Sequence, residues 1–90
     1  MRNTMGTRAE LPATDVRMGA TIREMRLMRG MNQDALATGA TISRAYLANI
    51  EAGRKRPSMK VVARIAGALR VPQISIIEAI EASEPGAVAS

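Results

Sequence analysis

The sequence predicts an all-α domain of five helices, and three observations carry that assignment. Apolar residues recur at three- and four-residue spacing along most of the chain, the period of a helix with one buried face. No segment alternates apolar and polar residues as a half-buried strand would. The stripes are separated by Gly30, Asn32, Ser43, Gly53, Ser58 and Pro72, residues that start or stop helices. Ninety residues make one small domain with a modest core. With no Phe or Trp, that core is aliphatic, and Met18, Met25, Met31 and Met59 are read as its filler.

Each element has its own signals. Residues 1–14 show no period and are expected to form a flexible arm. Asp15 then caps a first helix from Val16 to Arg29, with Met18, Ile22, Met25 and Met28 or Arg29 inward and Gly30 at the C-cap. Asn32 caps a second helix of roughly residues 33–39, whose inward positions are Leu36, Ala37 and Ala40. Ser43 caps a third, which runs to Ala52 and ends at a left-handed Gly53. So short a turn between the second and third helices sets them at a steep angle, as in a helix-turn-helix rather than an antiparallel hairpin. Pro57 and Ser58 open a fourth helix with Met59, Val62, Ile65, Ala66 and Leu69 inward, and a fifth follows Pro72 with Ile74, Ile76, Ile77 and Ile80. Glu84, Pro85 and Gly86 release the chain, so the domain is placed at 15–82 and a flexible tail at 83–90.

Composition excludes several functions. Without Cys or His the usual zinc sets, disulfides, thiol nucleophiles and imidazole bases are absent, and the scattered carboxylates and lysines show no catalytic pairing. The expectation is a non-enzyme needing no metal or cofactor. No apolar run reaches the roughly 18 residues needed to span a bilayer, and the start of the chain lacks a signal-peptide core, so a cytoplasmic protein with no membrane partner is expected. All 13 Lys and Arg lie in residues 1–70 against five acids, whereas residues 71–90 hold three acids and no base. Such polarity suits a molecule that turns one side to a polyanion.

The series Ile22-Arg-Glu-Met-Arg26, Gly30-Met-Asn-Gln33, Leu36-Ala37, Ile42-Ser-Arg-Ala-Tyr-Leu47, Ile50-Glu51 with Gly53, Pro57-Ser58, and Ile65-Ala66 with Ala68-Leu69 and Val71 resembles the lambda-repressor-like, or Xre/Cro-type, helix-turn-helix proteins. The resemblance covers about Met18 to Val71 and rests on the order of the pieces, none of which is specific alone. It implies a five-helix lambda-repressor-like DNA-binding domain with the helix-turn-helix in helices 2 and 3. It further implies that Gln33 bonds a phosphate and braces a recognition-helix side chain, with Asn32 contributing from the helix N-terminus, where free amides and the dipole favour an anion.

By the same resemblance Ser43, Arg44, Ala45, Tyr46 and Asn49 occupy the reading positions. Arg44 is the candidate for bidentate bonding to guanine O6 and N7, with a phosphate grip as its competing role. Ala45 suits a thymine methyl, or no contact at all. Tyr46 either packs on the scaffold or bonds a phosphate through its hydroxyl, and Asn49 bonds adenine or the backbone. Arg54, Lys55 and Arg56 are assigned to phosphates. Arg26 and Glu51 match a family pair that forms a structural salt bridge.

Two departures stand out. The family usually has Gly in the turn where this chain has Thr41, with Gly39 two residues earlier, so helix two is expected to end at Gly39 and the turn to be reshaped. In helix five, Gln73 stands where an apolar residue is common, and the four isoleucines exceed one docking stripe. That surplus, with the way related repressors pair, points to a homodimer through Ile74, Ile77 and Ile80. The resulting expectation is a sequence-specific regulator of transcription, a repressor of phage or bacterial origin, binding double-stranded DNA at a palindromic operator. The alternative is a protein-interaction module of the same fold, such as an antitoxin or transcriptional adaptor, with a protein partner on helix one or five. Leu27 and Met28 sit beside the solvent face of helix one, and one of the two would mark such a contact.

Overall fold

Five helices fill residues 13–82, the stretch the computed structural model describes: α1 (Ala13–Met28), α2 (Gln33–Ala40), α3 (Arg44–Glu51), α4 (Met59–Leu69) and α5 (Gln73–Ala82). No strand occurs among the described residues. The arm, apart from residues 13 and 14, and the tail at 83–90 lie outside them. α1 starts two residues before the expected Asp15 cap. Asp15 sits inside its first turn instead, where a carboxylate meets the positive end of the helix dipole.

The other starts follow the sequence signals. The side chains of Asn32, Ser43 and Ser58 accept from the amides of Ala35, Tyr46 and Val61 at 2.8, 3.0 and 3.2 Å, each satisfying one of the orphan donors of a helix N-terminus. α1 ends as expected at a left-handed Gly30, φ 69°, with the Met31 amide donating back to the Arg26 carbonyl at 3.1 Å. α3 closes on Gly53, φ 81°, with the Arg54 amide bonded to the Asn49 carbonyl at 2.9 Å.

The end of α2 overturns an expectation. The helix does not stop at Gly39 but continues through Ala40, and Thr41 itself adopts the left-handed conformation, φ 58° and ψ 45°. The Ile42 amide bonds the Ala37 carbonyl at 3.0 Å and the Thr41 amide bonds that of Thr38 at 3.1 Å, the pattern a glycine would form there. Ala40 is fully buried, and stopping at Gly39 would pull it from the core. Gly39 has a different use: a Cβ there would lie 3.0 Å from the Cβ of Ala68, so its absence lets α2 approach α4.

α2 packs chiefly on α4, and α1 lies against both α3 and α5. The core joins Ile22 of α1, Leu36 of α2, Leu47 and Ile50 of α3, Val62, Ile65 and Leu69 of α4, and Ile76 of α5, all essentially without solvent exposure. Where α1 crosses α3 the backbones nearly touch. A Cβ on Gly19 would fall against the carbonyl oxygens of Ile50 and Glu51.

Three inward assignments need correction. The buried stripe of α1 runs Met18, Ile22, Arg26, while Met28 and Arg29 are exposed and Met25 is half-buried. Met59 is 53% exposed rather than core filler, because at the first residue of α4 its Cα–Cβ bond leans toward the helix start and away from the core. On α5, Ile76 and Ile80 are buried within this chain, so Ile80 is not surface available to a second copy. The apolar surface left there is Ile74, 54% exposed, and half-buried Ile77.

Candidate nucleic-acid interface

The first turn of α2 and the eight residues of α3 form one unit. α3 is about 12 Å long. Gln33 at the start of α2 reaches its last residue, donating from Nε2 to Glu51 Oε1 at 3.1 Å, while the next residue, Asp34, reaches its first, with Oδ1 3.6 Å from Arg44 Nε. The first turn of α2 therefore lies alongside α3 and engages both of its ends, as expected of two helices joined by so short a turn.

Arg26 locks this contact to the rest of the domain. Its Nε and Nη2 donate to Glu51 Oε2 and Oε1 at 2.8 and 3.0 Å, and Nη1 donates to the Met31 carbonyl at 2.9 Å. Both side chains are more than nine-tenths buried, and the fork-on-carboxylate geometry matches the planar guanidinium. The hydrogen bond to Glu51, joined by the charge of that carboxylate, holds the Arg26 pKa above its ordinary value against the burial that lowers it. Glu51 thus receives Arg26 from α1 and Gln33 from α2. The brace role of Gln33 is directed at this carboxylate on α3.

The outward groups are held more lightly. At the start of α2, the Ala35 amide is taken by the Asn32 cap and that of Leu36 by the Asn32 carbonyl at 3.2 Å. Helix geometry leaves the amides of Gln33 and Asp34 without an intrahelical acceptor. On α3, Ser43 uses its oxygen as the N-cap and Ala45 is exposed. Arg44 is two-thirds exposed. Tyr46 is half-buried with its ring packed on the core. Asn49 Oδ1 accepts from Arg54 Nε at 3.0 Å, so its amide nitrogen is the part left for another acceptor.

The basic loop divides by partner. Arg54 is hydrogen-bonded to Asn49, and Arg56 Nη1 lies 3.6 Å from Asp15 Oδ1 on α1. Lys55 is exposed. Sequence reasoning missed Asp15 and Asp34, the two carboxylates paired with candidate cations. No periodicity links either to its partner, since each pair joins segments that only the fold brings together, α2 with α3 and α1 with the loop after α3.

Comparison with known proteins agrees with this geometry. Residues 22–72 match the family model described as Helix-turn-helix. Over 60 residues the chain is 42% identical to the immunity repressor protein of Bacillus phage phi105, an alignment covering 67% of this chain and 41% of that protein. The chain therefore spans about two fifths of that relative. Among solved structures it is similar to the restriction-modification controller protein C.AhdI from Aeromonas hydrophila, with a TM-score of 0.71 and 28% identity over 72% of this chain and 98% of the other. It is also similar to the controller protein C.Esp1396I, seen as a tetramer in complex with its natural 35 base-pair operator. There the TM-score is 0.71 and the identity 25%, over 77% of this chain and 91% of that one.

Proposed function

The chain belongs to the helix-turn-helix family, and from that premise we propose that it is a sequence-specific DNA-binding regulator of transcription, acting as a repressor at a two-fold operator. The observation that carries the reading is the contact of the first turn of α2 with both ends of α3, and of the basic loop with Asn49 through Arg54. These contacts bring the free amides of α2, the exposed positions of α3 and the basic loop together.

With α3 in the major groove, Arg44 at its first turn reaches base edges. It is the residue assigned to guanine, a contact worth about 1–3 kcal/mol of discrimination. Ser43 and Ala45 flank it, Ala45 against a thymine methyl or a backbone sugar. Asn49, one turn on, presents its amide nitrogen to a base acceptor. The N-terminus of α2, with Asn32 and Gln33, and the hydroxyl of Tyr46 face one phosphate run, and Arg54, Lys55 and Arg56 face the other. Phosphate contacts set the register, and base contacts set the sequence.

A dimer through Ile74 and Ile77 places two such heads about 34 Å apart, one DNA turn. Bound there, the protein excludes polymerase. The relatives support this assignment: one is a phage immunity repressor, and a controller protein is held as a tetramer on its operator. No helix among the described residues is long and apolar enough to cross a membrane. The second reading, a protein-interaction module, draws on one feature of α1. Leu27 and Met28 are 50% and 84% exposed there, and Met28 borders a groove of about 270 Å³ formed with Met25, Arg29 and Val71.

The test is selection of bound sites from random duplex DNA by the wild type and by Arg44→Ala. Enrichment of a two-fold motif whose guanine preference disappears in the variant supports the proposal. Retention of unrelated duplexes without any enriched motif would overturn it.

A further inference from the structure

Between Gly30 and Arg56 the sequence holds two acids, Asp34 and Glu51. Glu51 is buried under Arg26 and Gln33, so Asp34 is the exposed carboxylate of this segment. It occupies the first turn of α2, beside amides suited to a phosphate, where a negative charge works against binding a polyanion. Favourable contact with the helix dipole explains an acid somewhere in that turn. It does not explain one whose Oδ1 lies 3.6 Å from Nε of the residue best placed to read a base.

Resting on the DNA-binding reading above, we infer that Asp34 is a positioning residue for sequence readout: it holds the Nε edge of Arg44, so that the terminal Nη1 and Nη2 fork faces a guanine. An unrestrained arginine beside a phosphate ladder has phosphate oxygens as its nearest and most numerous acceptors. A carboxylate on its Nε side removes it from that competition without using the donors that match O6 and N7. In free protein the pair is two-thirds or more exposed and weak. As α3 enters the groove water leaves, and the same attraction strengthens where it matters.

The roles separate in a four-protein comparison of wild type, Asp34→Asn, Arg44→Ala and the double variant, by selection from random duplex DNA and by titration of one unrelated duplex. Asp34→Asn is expected to lower the guanine preference at the Arg44 position by about two- to fivefold. It is expected to tighten binding to the unrelated duplex by about twofold, one repulsive charge having been removed. In the Arg44→Ala background it should change no base preference, because it acts through Arg44. A merely helix-stabilising Asp34 would shift thermal melting and leave base preference alone, which overturns the inference. So would a base-preference loss that persists without Arg44, or an Arg44→Ala profile identical to that of the wild type. A wild type that selects no sequence sinks the DNA-binding reading and this inference together, whereas a selective wild type with an unchanged Asp34→Asn profile sinks only the inference.

Discussion

Replacing Thr41 by glycine should stabilise this domain, although it deletes a side chain and gives the unfolded chain more freedom. Thr41 holds φ 58°, where the Cβ of an L-residue crowds the following carbonyl at about 1–2 kcal/mol, and β-branching adds to the strain. Its side chain is exposed, so truncation removes no core contact. Both backbone bonds of the cap, from Thr41 to Thr38 and from Ile42 to Ala37, are available to glycine unchanged. Against the relief stands the larger unfolded-state entropy of glycine, about 0.5–1 kcal/mol. The net expectation is about 1 kcal/mol of added stability, or a rise in melting temperature of about 4–8 °C for a domain this size.

The calibration lies within the same fold. Gly30 has φ 69°, and nothing lies within 4 Å of a Cβ built there, so Gly30→Ala reports left-handed strain without a clash. It should destabilise by about 1 kcal/mol. Urea unfolding followed by circular dichroism gives both numbers, with equal slopes certifying that the denatured states match. If Thr41→Gly leaves the midpoint unmoved or lowers it while Gly30→Ala behaves as stated, the strain reasoning at the helix-turn-helix turn is wrong.

Four further outcomes follow from the geometry. Glu51→Gln leaves the Arg26 charge buried without its counter-ion and should cost about 3–5 kcal/mol in urea melts, while Arg26→Met with Glu51→Leu should lose less than that single change. Because the folded pKa of Arg26 is raised, its share of that stability is fully present below the unfolded value and is lost only as pH climbs past the folded one. Melts of the wild type should therefore show no loss from this group up to about pH 10. Lys55→Ala should reduce the slope of log affinity against log salt by about 1 with base preference unchanged, and an unchanged slope would remove Lys55 from the phosphate contacts. Ile74→Glu should give a monomer in sedimentation at micromolar concentration, and a surviving dimer would move the interface away from α5.

What the sequence disclosed was local chemistry. Asn32, Ser43 and Ser58 cap their helices, and Gly30 and Gly53 end theirs, because each function belongs to one residue and its nearest amides. The end of α2 was different, since burial of Ala40 in the core outweighs the conformational preference of Thr41, and no window around that threonine contains the rest of the core. Periodicity also failed at helix ends, where Met59 keeps the right spacing but has no core beneath it. In the candidate site, Arg26 with Glu51 came from resemblance. The partners Asp15 and Asp34 could come only from the tertiary packing, of the loop after α3 on α1 and of α2 on α3.

The strength of the contacts along α3 varies in a way that bears on how it would read DNA. Its last residue, Glu51, is fixed by a bidentate arginine and a glutamine out of solvent, so the angle of the helix is set before any ligand arrives. Its first residue, Arg44, is held by one exposed ion pair, and Asn49 by one exposed hydrogen bond to Arg54. Exchanging the Asn49–Arg54 contact for contacts to bases or phosphates costs about 1 kcal/mol or less, whereas disturbing the Glu51 brace costs several. Docking can therefore rearrange side chains at the reading end without tilting the helix. On this account a change of operator preference should come from substitutions at Asp34, Arg44, Ala45 or Asn49 that leave unfolding midpoints nearly unchanged. A substitution at Gly19, where α1 and α3 meet backbone to backbone, should instead lower stability and affinity for every sequence alike.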